Sequence, residues 1–297
     1  MHIFKRDELL DLYTANKEAR AAHFERLLQQ AAKASTALQG QAVHGLKEEL
    51  QAYKDEPTMT LVTFAALRRC GPSAWEGLMT STFPESEWTG LPSELALEKA
   101  ISPAEAVLRS LREEAERHPV KYVRDSAQGK DRLEGPTNFD AWAEYGGRSL
   151  FIEAKFTSDI SVDTTHCTNR NQIARCIDIG LQSVEDKVER FFFVMLTPDR
   201  YQKAPGSRLY YYKMLEYRRY PEMLAEDIPR LKESGKDIEF YRALGERIAF
   251  LSWEACAKAI LSEPVWTPGE RDWLTQFYRD RRCLLQYNES SEGTRGV

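Results

Sequence analysis

Two apolar segments, Asn138-Phe139-Asp140-Ala141-Trp142-Ala143-Glu144-Tyr145 and Arg148-Ser149-Leu150-Phe151-Ile152-Glu153-Ala154-Lys155-Phe156, are joined by Gly146-Gly147. A Gly-Gly pair between such runs predicts a tight β-hairpin, because glycine enters the backbone conformations of a two-residue loop without a steric penalty. With the glycines as the loop, Tyr145 faces Arg148, and counting outward sets Asp140 against Glu153. Lys155 follows two residues later on the same face, because strand side chains alternate. Cross-strand Cβ atoms lie about 4.5–5.5 Å apart, and like charges there repel. Two facing carboxylates in an apolar hairpin therefore call for positive charge between them. A divalent cation held by oxygen ligands, with Lys155 alongside, meets that demand.

The rest of the chain bounds the setting of this hairpin. Its 297 residues allow one large or two modest domains, and 42% hydrophobic with 11% aromatic residues indicates a packed core. No apolar run approaches the ~18 residues of a membrane span, and Met1-His2-Ile3-Phe4-Lys5-Arg6 lacks the apolar centre of a signal peptide. The five cysteines (Cys70, Cys167, Cys176, Cys256, Cys283) are scattered and never form a Cys-x-x-Cys pair. They suggest neither a disulfide framework nor a zinc site, and a reducing cytoplasm is expected. A net charge of −5 argues against a protein that merely coats nucleic acid, but a local basic patch remains compatible with it.

Along the chain, residues 6–55 read as one long helix or a helical pair, from Leu9, Leu10, Leu12 and Tyr13 to Phe24, Leu27 and Leu28. Such helices would pack on the main domain or serve as an arm for a homo-oligomer or protein partner. Pro57, Gly71-Pro72, Pro84 and Gly90-Leu91-Pro92 mark a loop-rich stretch. Residues 92–101 look like a short helix, and Ser102-Pro103-Ala104-Glu105 looks like the capping box of a second one. Lys121-Tyr122-Val123 is read as the start of a strand. A helix is expected from Asn169 to about Val184, and buried strands over 190–196 and 248–253. Helices over 254–261 and 268–282 follow, and a frayed tail. This order indicates an α/β sheet covered on both faces.

Among all acidic residues, only Glu153-Ala154-Lys155 and Glu185-Asp186-Lys187 place a Lys two positions after an acid. The second lies in a polar stretch and reads as solvated surface. The first is embedded in Leu150-Phe151-Ile152 and Phe156, where charge is costly unless satisfied. Phe139-Asp140, a twelve-residue gap, then Glu153-Ala154-Lys155 in a strand resembles the PD-(D/E)XK nuclease superfamily, over roughly Pro92 to Trp253. Phe139 departs from the motif's Pro. The resemblance implies a restriction-endonuclease-like mixed central sheet flanked by helices. It would divide the chain into an N-terminal helical extension and loop (1–90), a nuclease-like domain (91–285) and a flexible tail (286–297).

By the same resemblance, Asp140 and Glu153 would ligate Mg²⁺ (with Mn²⁺ as a substitute), the Ala154 carbonyl could add an oxygen, and Lys155 would position the attacking water. The competing reading of the same residues is a cross-strand Asp–Lys–Glu salt-bridge cluster without metal. Gln172 and Arg175, on the helix after the second hairpin strand, could reach a phosphate or a bound water, or be ordinary polar surface. Some superfamily members take a further acid from the first core helix. Glu94, Glu98 and Glu105 are candidates, and Glu98 is preferred as an additional metal ligand because the capping box already explains Glu105. His166-Cys167 reads as incidental.

From Asp199 to Tyr220, six basic residues (Arg200, Lys203, Arg208, Lys213, Arg218, Arg219) against two acidic ones interleave with tyrosines. Such a patch could hold phosphates and stack bases, or the tyrosines could pack inward while the arginines stay in water. The expectation is a Mg²⁺-dependent nuclease hydrolysing phosphodiester bonds, DNA ahead of RNA, in restriction, phage defence or repair. The alternative is a catalytically silent nucleic-acid-binding or regulatory subunit of the same fold.

Overall fold

The structure is a computed structural model, and it describes residues 3–14, 17–20, 22, 56–163, 166–167, 170–203 and 208–284. Of the helices expected over 6–55, residues 6–14, 17–20 and 22 are described and include the short helix α1 (Arg6–Leu10); the rest, and the tail expected over 286–297, lie outside the described residues.

The fold is α/β, with a five-stranded mixed sheet in the order β1-β2-β3-β4-β5 and helices on both faces. Strands β1 (Glu94–Ile101), β2 (Thr137–Tyr145) and β3 (Arg148–Ala154) form an antiparallel meander. Strands β4 (Phe191–Thr197) and β5 (Ile248–Ser252) continue it in parallel with β3. The parallel steps require crossovers, and helices supply them.

The hairpin forms in the expected register: Tyr145 pairs with Arg148 and Ala141 with Ile152. Gly146 (φ +53) and Gly147 (φ +87) are both left-handed, which a two-residue turn between right-twisted strands demands. Strand β4, Phe-Phe-Phe-Val-Met-Leu-Thr, is buried at every position because both of its faces are covered. On one face, α2 (Glu56–Arg69), α3 (Pro72–Thr82), α12 (Trp253–Ser262) and α13 (Pro268–Asp280) pack on Ala141, Leu150, Ile152, Phe192 and Val194. On the other, α4 (Glu105–Arg117) and α6 (Gln172–Ser183) cover Phe151, Phe191 and Phe193. Gly180 lets α6 approach closely, since a Cβ there would stand 2.8 Å from the Phe191 ring.

Several local expectations are corrected. The expected helix over 92–101 is instead strand β1 from Glu94: Leu95-Ala96-Leu97 is too short an apolar run to fix a period, and pairing with β2 decides it. The stretch expected to be loop-rich holds α2 and α3. Pro57 and Pro72 sit in their first turns, where a missing N–H costs nothing. Lys121-Tyr122-Val123 opens a helix, α5 (Lys121–Ala127), not a strand. The capping box does not form either. Ala104 caps α4 without a side-chain bond, and Gln182 from α6 accepts the Ala104 N–H (2.6 Å) while donating to the Ser102 carbonyl (3.0 Å).

Between β4 and β5 the described residues form five helices: α7 (Asp199–Lys203), α8 (Leu209–Arg219), α9 (Met223–Asp227), α10 (Pro229–Glu233) and α11 (Ile238–Glu246). At the outer edge of the sheet, Tyr13 bridges Leu97 in parallel, and the Leu97 N–H donates to the Leu12 carbonyl. Among the described residues, no helix is long and apolar enough to cross a membrane.

Candidate active site

The carboxyl end of β3 carries the acid-and-lysine cluster. Glu153 and Lys155 are both buried, at 3% and 7% exposure. Lys155 Nζ donates to Glu153 Oε1 at 2.7 Å. Asp140, one step beyond the last regular β2–β3 pair, accepts the Ala154 N–H through Oδ2 at 2.7 Å. The hairpin thus ends with an aspartate side chain replacing a backbone acceptor, which fixes the Asp140 carboxylate beside β3. Its Oδ1 has no protein donor among the described residues.

Helix α6 adds the next layer. Asn171 caps it by accepting the N–H groups of Ile173 and Ala174, so the helix starts at Gln172. Gln172 Nε2 donates to Glu153 Oε1 at 2.5 Å, which brings the sequence-predicted glutamine onto the cluster. One turn on, the buried Cys176 Sγ lies 3.7 Å from Glu153 Oε2 and donates to it.

Glu56, which the sequence reading missed, completes the group from the first turn of α2. Its Oε1 lies 3.9 Å from Lys155 Nζ, and its Oε2 accepts from the Phe156 N–H (2.9 Å) and Ser158 Oγ (3.0 Å). Glu56 thereby ties α2 to the chain leaving β3. Its sequence signal was an acid directly before Pro57, a helix-start pattern masked by treating the proline as a breaker.

The electrostatics follow from crowding three carboxylates around one ammonium. Burial, then the neighbouring Glu153, pushes Asp140 well above the usual carboxylate range, against the pull of the Ala154 N–H and Lys155. Burial also raises Glu153, although Lys155 opposes it. Burial alone would lower Lys155, but Glu153 and Glu56 outweigh it and hold the ammonium above its ordinary value. The cluster is short of positive charge whenever its acids are all ionised.

The remaining sequence candidates scatter. Glu98 lies on β1, not on a helix. Its backbone is left-handed (φ +51), and its side chain pairs with Arg20 rather than with the cluster. Arg175 turns to the Gly135 and Pro136 carbonyls and to Glu134. Arg200 and Arg208 do flank the cluster's exit loop. Arg200 stacks over Phe156 and Tyr201, and Arg208 stacks over Tyr201 and donates to the Thr157 carbonyl (2.9 Å). Lys213 is engaged by Asp227 (2.7 Å) and Glu216 (2.9 Å). Lys203 ends α7, and its side chain lies outside the described residues. Arg218 and Arg219 line a separate groove of about 380 Å³ with Glu222, Arg242 and Glu246. Tyr210 and Tyr217 are fully buried, so the inward-packing alternative holds for them, while Tyr212 and Tyr220 remain exposed.

Among the described residues, no group of three or more His, Cys, Asp or Glu side chains is arranged to hold a metal ion. We found no family model, no curated protein and no solved structure that matches the chain.

Proposed function

We propose that this protein is a Mg²⁺-dependent nuclease of the PD-(D/E)XK, restriction-endonuclease-like class, hydrolysing phosphodiester bonds with DNA ahead of RNA as substrate. The observation that carries the reading is the convergence of Asp140, Glu153, Lys155 and Gln172 at one end of β3. The antiparallel meander followed by a helix and a parallel strand supports it at the level of topology.

The donor set fits a hard divalent cation. Asp140 and Glu153 supply oxygen from two adjacent strands, and Mg²⁺ uses one or two carboxylates with waters and substrate phosphate completing its shell. The raised affinity of both acids for protons marks negative charge that a cation would relieve. When bound there, Mg²⁺ would supply charge stabilisation at the phosphate and acidify water. Lys155 would orient the attacking water and offset phosphate charge, and Gln172 and Cys176 would hold the Glu153 carboxylate in place.

The test is cleavage of plasmid, linear and single-stranded DNA, and of RNA, with Mg²⁺, Mn²⁺ or EDTA. Metal-dependent cleavage by the wild type that is lost in Asp140→Asn is expected. A wild type inert on every substrate would overturn the reading. One observation favours a second reading, a catalytically silent nucleic-acid-binding or regulatory subunit: Lys155 is already closed onto Glu153 as an ion pair. Binding of uncleaved nucleic acid without turnover would select it.

A further inference from the structure

The opposite, amino-terminal end of the parallel strands carries a second concentration of charge, made of arginines. Arg148 opens β3, Arg190 directly precedes β4 and Arg247 directly precedes β5. The parallel register brings them together, since Ser149 pairs with Phe191 and Phe193 with Ile248. Arg148 and Arg247 both stack on the Phe192 ring, with guanidinium carbons 5.9 Å and 4.7 Å from its centroid, and Arg148 also covers Trp88 at 5.6 Å.

Each guanidinium gives a hydrogen bond to a neutral acceptor: Arg148 to the Glu87 carbonyl, Arg190 to the Gly147 carbonyl and Arg247 to Ser86 Oγ. None meets a carboxylate at ion-pair distance among the described residues. Two buried donors in the same place have no acceptor at all, Arg247 Nε and Trp88 Nε1. Trp88 is only 5% exposed, so water does not easily make up the loss. Burial, then the charge of Arg148, holds Arg247 below the usual guanidinium range, while the nearby Glu246 and Glu189 offset this only in part. A buried donor without an acceptor is destabilising. Stacked guanidinium groups keep their N–H edges available to an oxyanion, which accepts several at once.

We propose that Arg148, Arg190 and Arg247 form an oxyanion-binding site for a phosphate group, separate from the acid cluster. The phosphate is either free or part of a nucleic-acid backbone, and both sources present the same doubly accepting oxygens.

The experiment compares the thermal midpoint of the full chain in inorganic phosphate and in sodium chloride of equal ionic strength. The wild type should gain several degrees in phosphate alone. Arg148→Gln combined with Arg247→Gln should lose that gain, and Arg190→Gln should reduce it. No phosphate-specific gain in the wild type, or a full gain kept by both variants, overturns the proposal. Arg190→Gln keeps the test decisive if the double variant does not fold, because Arg190 takes no part in the Phe192 stack.

Fluorescence anisotropy with a labelled single-stranded oligonucleotide in EDTA then distinguishes the sources. Nucleic-acid phosphate predicts weaker binding by the double variant and a logarithmic salt slope smaller by roughly 0.7 per lost contact. Free phosphate predicts an unchanged affinity. Neither measurement requires cleavage, so a failed nuclease assay would leave this result intact.

Discussion

Asp140→Asn isolates the electrostatic cost of the acid cluster. The asparagine oxygen can still accept the Ala154 N–H that Asp140 Oδ2 now takes at 2.7 Å, so the local fold is retained and only charge is removed. The Asp140 carboxylate is repelled by Glu153 and Glu56 and attracted by Lys155, which leaves one uncompensated repulsion. At a separation of about 6 Å and an effective dielectric constant of 20, such a repulsion is worth about 3 kcal/mol. Incomplete ionisation of the wild-type acid reduces the gain, and about 1–2 kcal/mol of stabilisation at pH 7 is expected. That corresponds to roughly 2–8 °C in thermal midpoint, at about 2–4 °C per kcal/mol for a chain of this size class.

The pH dependence fixes the sign. Folding raises the Asp140 pKa, so below the ordinary carboxylate value near 3.8 both states are protonated and no penalty exists. Above that value the unfolded chain ionises first, and the penalty on the folded state grows until pH passes the folded pKa. The stability difference between Asp140→Asn and wild type should therefore be near zero at pH 3.5 and largest at neutral pH. Calorimetric or denaturant unfolding of both proteins across this range measures it. A variant less stable than wild type at pH 7, or a difference independent of pH, would refute the account of the cluster as under-compensated.

Other outcomes follow from neighbouring contacts. Lys155→Ala should cost about 3–5 kcal/mol in denaturant unfolding, because it strands the buried Glu153 without its 2.7 Å partner; a loss of activity at unchanged stability would contradict the buried pairing. Gln172→Ala should lower kcat on a nucleic-acid substrate by at least ten-fold while leaving the fold intact by circular dichroism, since it frees Glu153 to rotate. All five cysteines are buried and reduced, so the native protein should leave Ellman's reagent uncoloured until denatured, when five thiols should react. Gly180→Ala should destabilise by about 1–3 kcal/mol in the same unfolding assay, through the clash with Phe191 and Phe151.

Local chemistry made part of this legible in the sequence. Gly146-Gly147 dictates its own turn, and counting from it reaches Asp140 and Glu153 with no knowledge of the rest of the chain. Strand β4 is equally transparent, because seven consecutive buried residues leave little alternative. Glu56 was invisible for the opposite reason. It lies 97 positions before Glu153 in the sequence, counting from 56 to 153, and only the docking of α2 brings it to Lys155. The competition for Glu98 failed through secondary structure: a short apolar run carries no period, and strand pairing overrode it. The basic stretch 199–220 misled by composition, since charge counts do not reveal that Lys213 faces Asp227 or that Tyr210 and Tyr217 point inward.

The bridge between Tyr13 and Leu97 closes part of an edge of the sheet. Strand β1 is the outer strand of the meander, and an uncovered edge offers its unpaired N–H and C=O groups to any other extended chain. By accepting the Leu97 N–H, Leu12 occupies the middle of that template. The fully buried Leu12 side chain and the nearly buried Tyr13 anchor the cover to the core. Removing residues 3–14 would therefore turn β1 into a nucleation surface for edge-to-edge aggregation.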